Sequence, residues 1–218
     1  MTVGLIMAGF LAAAAPSPLE TARDAQDRAA LERMAADAGA AAAKAANDAD
    51  AQYRAALAYS YLAEVWIEQH DRKHGRQIAE QGIKAGERAV AIKPDAETYR
   101  VLATLYGQAV TDMLSGLNYG PKAKDAINKA VDRAPKSSPV YVGRGVGNYY
   151  LLQTQQAIAD FRKAIELDSR NAEAYVWLGV ALRKDHKDAE ARQAFTKALE
   201  LNPRRVWAKQ QLDKTPAK

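Results

Sequence analysis

Three rows of residues recur along this chain at one shared set of intervals, and that recurrence restricts the fold more than any other feature. Small residues stand at Ala35, Gly82, Ala123, Ala157 and Ala191, and again at Ala42, Ala89, Ala130, Ala164 and Ala198. Turn-forming residues stand at Asn47, Pro94, Pro135, Ser169 and Pro203. In each row the steps are 47, 41, 34 and 34 residues. A period in this range means stacked supersecondary units, each unable to bury its apolar face alone.

The last unit shows what one period contains. Counted from Ala172 as position 1, Tyr175, Leu178 and Leu182 fall at 4, 7 and 11, with Gly179 at 8. Ala191, Phe195, Ala198 and Pro203 fall at 20, 24, 27 and 32. Apolar residues three and four apart form one face of a helix. Small residues at 8, 20 and 27 let helix backbones approach closely. Pro203 stops the second helix, having no N–H to donate.

This pattern resembles the tetratricopeptide repeat (TPR), over roughly residues 27–213. The resemblance implies an all-α fold, a right-handed α-solenoid of helix–turn–helix repeats with helical caps. The expected division is a half-unit at 27–47, units at about 50–94, 96–137, 138–171 and 172–205, and a cap helix at 206–213. Residues 16–26 read as linker and helix start, and 214–218 as a disordered tail. Residues 22–46 read as one helix. The second unit is 13 residues longer than the 34-residue period and the third 7 longer. The second unit's excess reads as longer helices around a turn at Gln69–Gly75, about 10 Å of rise on each. The third unit's excess reads as a loop at Leu114–Pro121. Both insertions are expected on one edge of the solenoid.

Composition agrees with close-packed helices. Hydrophobic residues make up 48% but aromatics only 7%, so alanine supplies much of the apolar content. The absence of cysteine excludes disulfides, thiolate metal sites and a cysteine nucleophile. The formal charge is +5, and residues 170–218 carry eleven Lys/Arg against six Asp/Glu. That excess reads as a solvated basic helix end rather than a nucleic-acid stripe, so nucleic acid is not expected as a partner.

Residues 1–15 read as a signal peptide. Val3–Ala15 is uncharged and too short to span a bilayer comfortably, and Ala12-Ala13-Ala14 offers a small-x-small cleavage site. The competing reading is an uncleaved anchor to the inner membrane. Either way the remaining chain is expected to be exported, periplasmic or secreted, with no membrane span in the mature part.

No catalytic constellation stands out, and neither metal nor cofactor is expected. His70, His74 and His186 fall in charged inter-helix turns. Gly143, Gly145 and Gly147 lie inside a repeat helix, where a phosphate loop cannot form because no strand precedes them. Arg144 takes position 7, where the repeat pattern has an apolar residue.

The resemblance implies a peptide-binding concave groove at positions 2, 5, 9, 12 and 13 of the first helices. Those positions hold Arg100, Thr104 and Gln108; Val142, Val146, Tyr149 and Tyr150; and Val176, Val180, Arg183 and Lys184. Such a groove is apolar in the middle with cations at its edges. The carboxylate clamp of some family members is missing, since Val142, Val146, Glu173 and Trp177 occupy its positions. The function implied is a non-enzymatic scaffold or adaptor binding a protein or peptide segment in the groove. The alternative is a structural subunit of a cell-envelope assembly, packing through the elongated second and third repeats. Self-association is a further partner class.

Overall fold

The computed structural model describes residues 16–216. The helices are α1 (Pro18–Asp24), α2 (Arg28–Lys44), α3 (Ala49–Glu68), α4 (Arg72–Ile92), α5 (Ala96–Gln108), α6 (Met113–Arg133), α7 (Ser138–Tyr150), α8 (Thr154–Leu167), α9 (Ala172–Lys184), α10 (Asp188–Leu201) and α11 (Val206–Asp213). No strand occurs among the described residues. The proposed signal or anchor segment, residues 1–15, lies outside them.

Seven of the eleven described helices begin at a side-chain cap. Asp27, Asp48, Asp71 and Asn171 each accept a hydrogen bond from a first-turn N–H of the helix that follows. Four of the five within-unit turns share one geometry, the α5–α6 turn being the exception. Gln26, His70, Leu152 and His186 have φ of 53°, 68°, 62° and 59°. After each, the next N–H donates back to the last turn of the first helix: Asp27 to Ala22, Asp71 to Trp66, Gln153 to Asn148 and Lys187 to Leu182, at 2.8–2.9 Å. These left-handed single residues satisfy carbonyls the helix end would otherwise orphan.

The same turn corrects the N-terminal expectation. The chain breaks at Ala25–Asp27, so residues 22–46 are not one helix. Because α1 meets α2 through the same turn as α3 meets α4, α1 is a truncated first helix and the half-unit is a shortened pair.

The two insertions lengthen helices. In the regular units α7 to α10 have 13, 14, 13 and 14 residues. In contrast α3 has 20 residues, α4 has 21 and α6 has 21. The turn after α3 is only Gln69–Asp71, and α4 already includes His74 and Gly75. The stretch expected as a loop, Leu114–Pro121, belongs to α6, with Pro121 inside the helix. Two forces override its turn-like composition. Asp112 and Ser115 form a reciprocal capping box, Ser115 N–H to Asp112 Oδ1 at 2.8 Å and Asp112 N–H to Ser115 Oγ at 3.0 Å. Tyr119 then stacks on Tyr106 at 6.0 Å and donates its hydroxyl to Glu80 at 3.3 Å.

Packing follows the small-residue rows. A Cβ on Gly145 would sit 2.5 Å from the Phe161 ring, and one on Gly179 would sit 2.6 Å from Phe195. Extensively packed helix pairs are sequence neighbours or next-but-one neighbours. The next-but-one pairs α3–α5, α5–α7 and α7–α9 make the first helices the inner layer. The chain is an α-solenoid of helical repeats.

At the C-terminus α11 spans the expected residues, and Trp207 is buried. The tail expectation fails at Thr215, which is 3% exposed: its hydroxyl donates to Gln211 O at 2.7 Å, and Arg192 donates to its carbonyl at 2.6 Å. The basic end is not simply solvated either, because Arg205 is 1% exposed.

Candidate functional site

The inner layer lines a half-open cavity of about 830 Å³. Its wall runs from Arg23 on α1 through α3, α5, α7 and α9 to Trp207 and Gln211 on α11.

The wall includes Arg100, Thr104 and Gln108 of α5, Val142, Val146, Tyr149 and Tyr150 of α7, and Val180 and Arg183 of α9. Two expected groove residues lie elsewhere. Val176 is 0% exposed and packs in the core, because α9 is flanked by α7, α8 and α10. Lys184 places its ammonium 4.4 Å from the Tyr149 ring centroid, off the cavity wall.

The chemistry of the wall is mixed. Tyr149 and Tyr150 meet edge-on at 5.5 Å, and both lie edge-on to Trp177 of the next unit, at 5.9 and 6.1 Å. They therefore serve as groove surface and inter-unit packing at once. Burial pushes the Tyr150 hydroxyl above its ordinary range and the Tyr61 hydroxyl up to about 12. Arg100 is not a free edge cation, since Glu97 holds it at 2.8 Å. Arg72 has no carboxylate partner among the described residues; it donates to Val110 O at 3.2 Å and lies 5.5 Å over Tyr150. Arg183 makes no hydrogen bond or ion pair among the described residues. Gln108 donates its amide to Ser60 O at 3.0 Å, while its buried Oε1 has no donor.

Arg144, at the irregular position 7, is paired rather than misfitted. Its guanidinium grips the Asp160 carboxylate at 2.6 and 3.0 Å, and Asn148 donates to the same group at 2.8 Å.

Part of the site had no local signal. The two ends of the solenoid meet, closing the inner layer into a ring along a polar seam. Arg205, just before α11, donates to Glu68 at 2.5 and 3.0 Å, to Glu64 at 2.7 Å and to Glu173 at 3.3 Å, and lies 3.8 Å from Asp24. Asn202 donates to Asp24 at 2.6 Å, Gln210 to Gln26 at 3.2 Å and Gln26 to Glu68 at 2.9 Å. Arg23 completes the cluster, bound to Asp24 at 2.7 Å and 3.7 Å from Glu173. Four carboxylates thus face two guanidiniums in a buried setting. Burial pushes the Glu64 carboxyl up to about 8 despite the attraction of Arg23 and Arg205, with Glu68 and Glu173 adding to the rise. Burial would also raise Glu173, but Arg205 and Arg23, with hydrogen bonds from Arg205 and Trp177, hold it well below the carboxylate range.

Comparison with known proteins agrees with the repeat fold. A family profile described as TPR repeat matches residues 150–185, and one described as tetratricopeptide repeat matches 172–205. The chain is 31% identical over 90 residues to small glutamine-rich tetratricopeptide repeat-containing protein 2 of Mycosarcoma maydis, covering 41% of this chain but only 25% of that protein. Among solved structures it resembles TTC0263, a thermophilic TPR protein of Thermus thermophilus, with TM-score 0.58 and 20% identity, covering 76% of this chain and 87% of that one. It also resembles MamA 41-end from Desulfovibrio magneticus, with TM-score 0.50 and 16% identity, covering 86% and 97%. These structural likenesses concern the fold alone.

Proposed function

From a chain whose residues 150–205 are tetratricopeptide repeats, we propose a non-enzymatic scaffold for protein–protein interaction that holds a peptide or protein segment in its concave groove. The observation that carries this reading is the shared wall. Gln108, Tyr149, Tyr150, Val180 and Arg183, from three helices spread over 76 positions of sequence, line one cavity. Its aromatic surface offers apolar anchorage, and Arg72 and Arg183 offer cations that have no carboxylate partner among the described residues. A segment with apolar anchors and an acidic group matches that set. The apolar run before residue 16 supports an exported chain working in the periplasm or beyond. No helix among the described residues is long and apolar enough to cross a membrane.

Affinity capture from an envelope extract with residues 16–218 tests the groove. The control is Tyr149→Ala with Arg183→Glu, first verified as folded by circular dichroism. A partner held by the native chain and lost by the variant is expected. Equal capture by both would sink the groove reading. One observation favours the envelope-subunit reading instead: Met113, Leu114 and Leu117 of α6 are 83%, 78% and 70% exposed. Loss of the partner on Leu114→Asp with Leu117→Asp, but not with the groove variant, would select that surface.

A further inference from the structure

The join between the two ends differs physically from every other join in the ring. Each run of neighbouring helices shares an apolar cluster, spanning α1–α4, α2–α6, α5–α7 and α7–α11. None of these clusters holds residues from both sides of the seam. The extensively packed helix pairs are near neighbours in sequence, so the ends are joined by reaching side chains and not by packed helices. We propose that this seam is the gate of the groove, and that Arg205 is its bolt.

Energetics favour opening there. Apolar burial stabilises in proportion to the area removed from water, whereas buried ion pairs nearly break even against the cost of removing them from water. Parting the seam exposes little apolar surface and returns water to Asp24, Glu64, Glu68, Glu173, Arg23 and Arg205. Opening between any other pair of units breaks a packed core. The cavity wall stands on both sides of the seam, with Arg23 and Tyr61 on one lip and Trp207 and Gln211 on the other. A partner segment too bulky for the closed ring gains entry when the lips part. Arg205 is the bolt because one guanidinium holds carboxylates of α1, α3 and α9 together. Without it, four carboxylates face Arg23 alone.

This inference rests on the groove reading for its biological use, but its test reads the seam itself, so either can fail alone. The chain has no cysteine, so Gln26→Cys with Gln210→Cys marks the seam uniquely; it removes the Gln210–Gln26 and Gln26–Glu68 hydrogen bonds and keeps every ion pair of Arg205. A short bis-maleimide measures closure by cross-linking yield, and small-angle scattering gives the radius of gyration. In this background the expected yield is high, and Arg205→Ala lowers it several-fold and raises the radius of gyration while helix content is kept. Millimolar ethylguanidinium, which replaces the missing side-chain group, restores the yield. A folded Arg205→Ala chain that cross-links as well as its parent overturns the proposal. If Arg205→Ala does not fold, the cysteine pair alone decides through anilinonaphthalene sulfonate, an aromatic anion suited to the cavity. Cross-linked protein should take up the dye several-fold more slowly than uncross-linked protein, and equal rates overturn the gate.

Discussion

The regular units α7–α10 and the elongated stretch α3–α6 solve the same packing problem with opposite assignments of large and small. In the regular units the hollow is on the first helix and the ring on the second: Gly145 receives Phe161 and Gly179 receives Phe195, each 16 positions on. In the elongated stretch the hollow has moved to the second helix. Gly82 of α4 receives Leu105 of α5 and lies against Tyr59 of α3, and Gly86 receives Leu102. The glycine hollow thus shifts from the contact inside a unit, α7–α8 and α9–α10, largely to the join between two units, α4–α5. That is why a pattern tuned to the regular form weakens toward the N-terminus although the fold continues.

The comparison can be broken at its knobs first. Phe195→Ala should cost about 3–5 kcal/mol and Leu105→Ala about 2–5 kcal/mol in urea unfolding. Similar losses confirm that both contacts are core, and a loss below about 1 kcal/mol at Leu105 would mean that the elongated stretch is loosely packed. The hollows come next. Gly179→Ala and Gly82→Ala each place a methyl 2.6–2.7 Å from its neighbour. Overpacking of this kind costs about 1–3 kcal/mol, opposing the roughly 1 kcal/mol by which alanine favours a helix. A double-mutant cycle pairing Gly179→Ala with Phe195→Leu should recover part of the loss, as should Gly82→Ala with Leu105→Val.

A smaller effect concerns the seam that joins the two regions. The Glu64 carboxyl titrates higher folded than unfolded, so its contribution is fully present below about pH 4.5 and is lost as pH rises toward about 8. Glu173, held low by Arg205 and Arg23, acts in the opposite sense: its contribution is present above pH 4.5 and lost in acid. Thermal melts from about pH 5 to about pH 9 should therefore show the native chain losing stability. Glu64→Gln, which mimics the protonated acid among Arg23, Arg205, Glu68 and Glu173, should flatten that slope. An unchanged slope would remove Glu64 as its source. The smallest effect belongs to the exposed start of α6, where Leu114→Glu should shift stability by no more than about 0.5 kcal/mol.

The sequence made the repeat legible where its signals are local. Spacing of Gly179, Ala191, Phe195 and Ala198 suffices for α9 and α10, and α11 falls where the sequence places it. Nine of the eleven groove positions come to one cavity wall, because the inner face of a helix follows from its period. The failures share a cause. In α6 the Gly, Asn and Pro of Leu114–Pro121 favour a turn, but a capping box and the Tyr119–Tyr106 contact override them. At Val176 the flanking helices decide which side of α9 is the core. Arg205 reads as part of a basic tail, since its partners Glu64 and Glu68 lie 141 and 137 positions earlier. Nothing near it in sequence announces them.

Closure also bears on how such a chain can change length. A linear stack of repeats tolerates duplication or loss of one unit, because each unit touches only its neighbours. Here an added unit of the 34-residue period would carry Arg205 and Asn202 past Glu64, Glu68 and Asp24, leaving the charged groups of the seam without their partners. The copy number of this repeat is thus fixed by the meeting of its ends. Extra length is held inside the ring as longer helices, as α3, α4 and α6 display.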